Sequence, residues 1–164
     1  MPVDLATQTG FNDFWEGVVG TFRRVAVDDP MNGGNLDGVT THLKGAVDQD
    51  TLLNQHAYPV VWSVPLNHSP NYATVDSDQG TLSMRVVVLA ADVDPETAFR
   101  KSRTLAGRIV NNVEGTALVD QNGDAQASNV ELQDFQMDSR PLTSKGAQVK
   151  FAEVQFSIDV ERRY

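Results

Sequence analysis

Apolar residues recur along this chain with two different periods, and the switches between those periods outline its elements. Phe11, Phe14, Trp15, Val18, Val19 and Phe22 fall on one stripe at helical spacing, which predicts an amphipathic N-terminal helix. Thr9 suits its N-cap, and Arg23 and Arg24 lie near its C-terminal end, where the helix dipole favours cations. Gly17 and Gly20 lower the intrinsic propensity, so this helix depends on packing. From Asp28 to Gln55 the pattern dissolves among Asp28-Asp29-Pro30, Gly33-Gly34, Gly38 and Gly45. A short helix over Asp50–Gln55, capped by Asp48 or Asp50, is the one regular element expected there. A segment this long with so little patterning is usually functional or mobile.

The period then changes to two. Val60, Trp62 and Val64 alternate with Val61 and Ser63 between Pro59 and Pro65, which predicts a short or edge strand. A loop over Leu66–Gly80 follows. In Thr81–Ala91, Leu82, Met84, Val86, Val88 and Ala90 share one face. The opposite face begins with Ser83 and Arg85 and turns apolar at Val87 and Leu89, so it requires cover from another element or another subunit. Asp94, Pro95 and Glu96 then mark a helix start, and Gly115 marks its stop. The buried stripe of that helix reads Ala98, Phe99, Ser102, Leu105, Ala106, Ile109, Val110, Val113.

Two further strands slip in phase. Val130 and Leu132 oppose Phe135 and Met137, and Val149 and Phe151 oppose Val154, Phe156, Ile158 and Val160. Slips near Gln133-Asp134 and Ala152-Glu153 predict β-bulges, with a Pro141–Gly146 loop closing an antiparallel hairpin. The α-loop-ββ-α-ββ order defines an α+β fold: a small curved antiparallel sheet packed with two main helices. One domain spans 1–164, with the N-terminal helix in 1–27, a partly irregular segment in 28–57 and the sheet-and-helix core in 58–164.

Composition narrows the function. The net charge is −9, from 22 acidic and 13 basic residues, with sixteen aspartates and four lysines. Short carboxylates in place of long lysine stems fit a high-salt cytoplasm, where the screening length falls to about 3 Å at 1 M. The acidic balance argues against sequence-specific nucleic-acid binding, which needs a basic footprint. With no cysteine, disulfides and thiolate metal sites are excluded. The apolar runs are too short for a membrane helix, and the first residues lack signal-peptide features, so synthesis in the cytoplasm is expected.

Candidate chemistry is sparse. Asp120, Asn122, Asp124, Ser128 and Glu131 occupy calcium-loop spacing, but Ala125 stands where the loop needs glycine, and the flanks read as strands; the competing reading is an Asn-Gly hairpin turn. His42, His56 and His68 are widely spaced and read as surface or loop residues without a nearby carboxylate. No phosphate loop, nucleophile elbow or catalytic constellation is present, so neither enzymatic activity nor a cofactor is expected. Arg100, Lys101, Arg103 and Arg108 form a lone basic cluster, either a solvated helix surface or a docking face for an acidic neighbour.

The N-terminal helix, the strand YPVVWSVP, its partner TLSMRVVVLAAD, the following helix and the final QVKFAEVQFSIDVERRY strand together resemble the tail-terminator (tail-completion) proteins of long-tailed viruses. The likeness covers residues 11–24 and 58–164 and lies in architecture and texture; the long 28–57 segment departs from it. The resemblance implies a virion protein, assembled in the host cytoplasm, that forms a ring (typically hexameric) between the tail tube protein and the head–tail connector protein. The composition adds a halophilic archaeal host. Val87, Leu89, Arg100, Lys101, Arg103 and Arg108 are the expected subunit or partner contacts, and the edge at Val60–Val64 offers continuation of the sheet between subunits. A head-completion adaptor or other neck protein, and a calcium-binding module, are the competing functions.

Overall fold

A computed structural model describes residues 10–48, 51, 57–72, 77–116, 118–119, 125–144 and 146–163. Helix α1 (Gly10–Arg23) runs on through a π turn (Arg24–Asp28) and one further helical turn (Asp29–Met31). Strands β1 (Thr41–Lys44), β2 (Val60–Tyr72) and β3 (Ser77–Asp92) precede helix α2 (Pro95–Val113), and β4 (Leu118–Val119), β5 (Ala125–Ser144) and β6 (Ala147–Arg163) follow it. The strands form one sheet in the order β1-β2-β3-β6-β5-β4. The α+β class expected from the pattern holds, with the sheet packed against helices.

Alternation along β3 and β6 decides where the core lies. Leu82, Met84, Val86 and Val88 from β3, and Ala152, Val154, Phe156, Ile158 and Val160 from β6, are buried on one face. Trp15, Val18, Val19 and Phe22 of α1 and Leu105, Ala106, Ile109, Val110 and Val113 of α2 pack onto that face. The Phe22 and Phe156 rings meet at 5.4 Å between centroids. Both helices therefore share one side of the sheet, as their stripes require. The stripe read for α2 is buried except for Phe99, which is half-exposed, and Gly115 ends the helix with a positive φ of 71°.

The π turn has a local cause. Pro30 has no N–H to return to the carbonyl of Ala26, and the Asn112 side chain donates to that oxygen instead, at 3.0 Å. The Asp29 N–H reaches back five residues to the Arg24 carbonyl, so the helix widens rather than stops.

Four sequence expectations change. The sheet is mixed, because β1 pairs in parallel with β2 at Val60–Ser63. That strand lies inside the stretch read as irregular, and it covers all but the last residue of the Val60–Val64 edge offered for continuation of the sheet. Second, β2 extends far past Pro65. Beyond Ser63 it has no partner on the β1 side among the described residues, so Pro65 and Pro70 sit where the sheet edge tolerates them, with a register shift between Pro65 and Asn67. Third, the supposed loop at Pro141–Gly146 is largely strand: Leu142 and Thr143 pair with β6, and the chain turns at Gly146, φ 81°. Finally, the bulge near Gln133 is present as a register shift between Leu132 and Asp134, but β6 pairs with β3 without interruption through Ala152-Glu153.

The phase change in β6 has a different source. Val149 and Phe151 face the side of the sheet away from the helices, where they cluster with Val87, Leu89, Tyr58, Trp62 and Ala91. This end of the sheet is apolar on both faces. Val87 and Leu89 are each 3% exposed, so the chain itself covers them and they leave no surface for a neighbouring subunit.

Leu89→Ala is accordingly expected to cost about 2–5 kcal/mol in the dissociated chain, as a core truncation does, against less than about 0.5 kcal/mol for an exposed position. Urea denaturation at high dilution measures it.

Candidate functional site: two charged faces and a buried polar chain

The exposed side of α2 carries the basic cluster. Arg100, Lys101, Arg103 and Arg108 are all exposed. Lys101 Nζ is 2.9 Å from Asp92, Arg100 only approaches Glu96 at 4.0 Å, and Arg108 donates to the Asn35 carbonyl at 3.1 Å. Arg103 makes no ion pair among the described residues. Thr97, Arg100, Lys101, Thr104 and Arg108 line one wall of an open groove of about 320 Å³ whose other wall includes Gly38 and Pro59. The 32–39 loop is fixed beside it: Asn35 and Asn112 exchange amide hydrogen bonds at 2.8 and 3.1 Å.

Opposite the helices, the sheet presents its other face. Beyond the Val87 cluster this face becomes polar and acidic. Glu131 and Asp134 of β5 lie beside Ser157 and Gln155 of β6, and Glu153 and Asp159 share the same side. Arg85 of β3 lies on it, held by Glu153 through Nε at 2.7 Å and Nη2 at 3.2 Å. The same guanidinium lies over the Trp62 ring, 5.5 Å from its centroid, and so caps the apolar cluster. Asn129 and Gln136 donate amide hydrogens to Glu131 and Asp134, at 2.9 and 2.7 Å, and neither carboxylate has an ion pair among the described residues.

A third arrangement was not legible in the sequence. His42 of β1 is 3% exposed in its side chain and sits between Asp28 and Ser63. Its Nδ1 lies 2.7 Å from Asp28 Oδ1, and its Nε2 lies 2.7 Å from Ser63 Oγ. Arg23 Nε donates to that same Oγ, and Nη2 donates to the Ser63 carbonyl, both at 2.8 Å. Lys44 Nζ donates to the second Asp28 oxygen at 3.0 Å. The reading of His42 as a surface residue is corrected: its carboxylate partner lies fourteen positions back, in the π turn. The only local signal was the β-branched run Val39-Thr40-Thr41 leading into it, which marks β1.

Asp28, His42 and Ser63 have the connectivity of a Ser-His-Asp relay. Ser63, however, is fully buried, and a guanidinium N–H is aimed at its oxygen. The chain instead ties α1, the π turn, β1 and β2 together. Burial lowers the His42 pKa, and the Lys44 and Arg23 charges add to that, outweighing Asp28. With neutral His42, Nδ1–H donates to Asp28 and Nε2 accepts the Ser63 hydroxyl. Burial alone would raise the Asp28 pKa, but the hydrogen bonds from His42 and Lys44, with the nearby Lys44 charge, hold it below the usual carboxylate range.

Of the calcium-loop residues, Asp120, Asn122 and Asp124 lie outside the described residues, and Glu131 stands exposed on β5. His56 also lies outside them, and His68 falls within β2. Of the short helix expected near Asp50, Thr51 is helical and its N–H bonds to Asp48 Oδ1 at 2.7 Å, while 49–50 and 52–56 are outside the described residues. No helix among the described residues is long and apolar enough to cross a membrane.

No family model matches this chain, and no curated protein matches it. Among solved structures, it is similar in fold to a chain from the virion of a native gene transfer agent particle. The TM-score is 0.57 at 14% identity, over 87% of this chain and 92% of that one. At that identity the likeness concerns the fold.

The polar chain sets an acid sensitivity. Unfolded His42 takes up a proton as pH falls through about 6.5, whereas the folded residue resists until lower pH, so the unfolded state binds more protons and stability drops. Asp28 acts in the same direction further down, because its depressed pKa contributes stability only above the carboxylate range. The melting temperature should fall as the pH drops below about 6.5, with a shallower fall in His42→Gln, which starts from a lower value at neutral pH. An unchanged slope in that variant would remove His42 from the account.

Proposed function

We propose that this chain is a structural virion protein that works by assembly, and specifically a tail terminator. In this reading, copies of it form a ring, hexameric in the family it resembles, that closes the tail tube and meets the head–tail connector. The supporting observation is fold likeness over most of both chains to a component of a gene transfer agent virion. The charged, exposed faces of the helix layer and of the sheet are consistent with it, since both offer side chains for contact with a neighbour. Because the Ser63 hydroxyl is buried, the relay-like chain supports a structural role over an enzymatic one. The tail tube protein and the connector protein are the partners proposed. A head-completion adaptor would share these features and differ in which neighbours it touches.

The host proposed is a halophilic archaeon. A chain of net charge −9 with few lysines gains from screening of its own repulsion.

Negative-stain images of the purified protein in molar KCl are expected to show rings with a central hole. A monomer at every protein concentration, with or without tail tubes present, would sink the proposal. Separately, the melting temperature should rise steadily from about 0.1 M to molar KCl, as the screening length shrinks from about 10 Å to about 3 Å. A flat response would detach the halophilic host from the reading without touching the ring.

A further inference from the structure

We infer that one copy of this chain seats the exposed face of α2 on the polar face of the next copy's sheet. The inference rests on the assembly reading and adds to it the identity of the two surfaces. Both helices pack on the sheet face that carries Val154, Phe156 and Ile158. The outward side of α2 and the polar side of the sheet therefore look in opposite directions across the molecule. One presents Arg100 and Arg103, and the other presents Glu131 and Asp134.

The charges select the kind of contact. A two-fold contact through either face sets that face against itself, cation against cation or carboxylate against carboxylate. Like charges brought together in an interface cost several kcal/mol. A head-to-tail contact sets each face against its opposite and satisfies every copy in the same way. Such heterologous contacts close into a ring when the rotation per subunit divides a full turn, and run on as a filament when it does not. The available charges fit this use. Among the described residues, Arg103 has no internal ion pair, Arg100 only approaches Glu96 at 4.0 Å, and Glu131 and Asp134 are met by side-chain amides rather than cations. A bidentate arginine–carboxylate contact is the strong form of such a pair, and once shielded from solvent it is screened far less than surface charges are.

Two double variants test the pairing: Arg100→Glu with Arg103→Glu, and Glu131→Lys with Asp134→Lys. Their melting curves report first that each folds. Sedimentation velocity is then run on wild type, on each variant and on their equimolar mixture. Each variant alone should associate on the order of tenfold more weakly than wild type, or worse. The mixture should regain assembly, because each reversed face then finds an opposite one. Assembly of either variant at wild-type strength, or a mixture no better than its parts, overturns the pairing and leaves the ring reading standing. A wild-type chain that never self-associates overturns both.

Discussion

β6 is the constraint on which the other elements depend. It is the last strand in the chain, yet it lies inside the sheet, paired along its length with β3 on one side and β5 on the other. Without it, β1-β2-β3 and β5-β4 are separate pieces, each with an apolar face and no common floor for the helices. The even-numbered residues of β6, from Ala152 to Val160, are that floor, and Phe156 meets Phe22 of α1 across it. Its odd-numbered residues are divided by position: Val149 and Phe151 close the small second core, and Glu153, Gln155, Ser157 and Asp159 stay polar. A single strand thus sets the main core, the minor core and the character of the free face. Since its β3 partners lie some seventy residues earlier, the sheet is completed by non-local pairing, the slow kind to form.

The helical layer is fastened to that sheet by polar contacts as well as by packing. The carbonyl that Pro30 leaves without its usual donor is met by Asn112, so α2 holds the turn that follows α1. Beneath the same turn, Asp28 holds His42 and Lys44, and Arg23 holds Ser63. β1 is only four residues long, and a strand so short gains little from its own ladder. Its position is secured by side-chain bonds that run from the buried His42 and Ser63 out to the partly exposed Asp28 and Lys44. A buried network of this kind gives a unique arrangement only when every member is satisfied. Removing one member leaves another without its bond, a larger loss than the bond itself was worth.

The residue pattern disclosed much of this and withheld the rest for identifiable reasons. Both helices and the burial phases of β3 and α2 follow from local periodicity, which is why they were readable. The bulge at Gln133 was readable because one residue of slip is all that a bulge does. A similar slip in β6 was misread, since a strand whose two ends are buried on different faces leaves the same trace as a bulge. Val87 and Leu89 were correctly placed on the face away from Leu82 and Val88, but periodicity does not say which element covers a face. Here the cover comes from Tyr58, Trp62 and Phe151, residues remote from them in sequence. The pairing of His42 with Asp28 was the least accessible feature, because a parallel strand joined through an irregular segment has no local signature.

The distribution of charge also bears on how one acidic chain could associate with itself. Spread evenly, a net charge of −9 would make every approach between copies repulsive. The fold does not spread it evenly: helices confined to one side of a single sheet place α2's cations and the β5–β6 carboxylates on surfaces that never meet within one molecule. Salt acts differently on the two scales. At molar concentration the long-range repulsion between whole molecules is lost within a few ångströms, about 3 Å at 1 M, while pairs brought into contact and shielded from solvent keep more of their attraction. A saline medium would then favour association by removing the opposing term rather than by strengthening the favourable one. On that account the acidic composition and the basic helix face belong together, the first keeping separate copies soluble and the second giving them one orientation in which to meet.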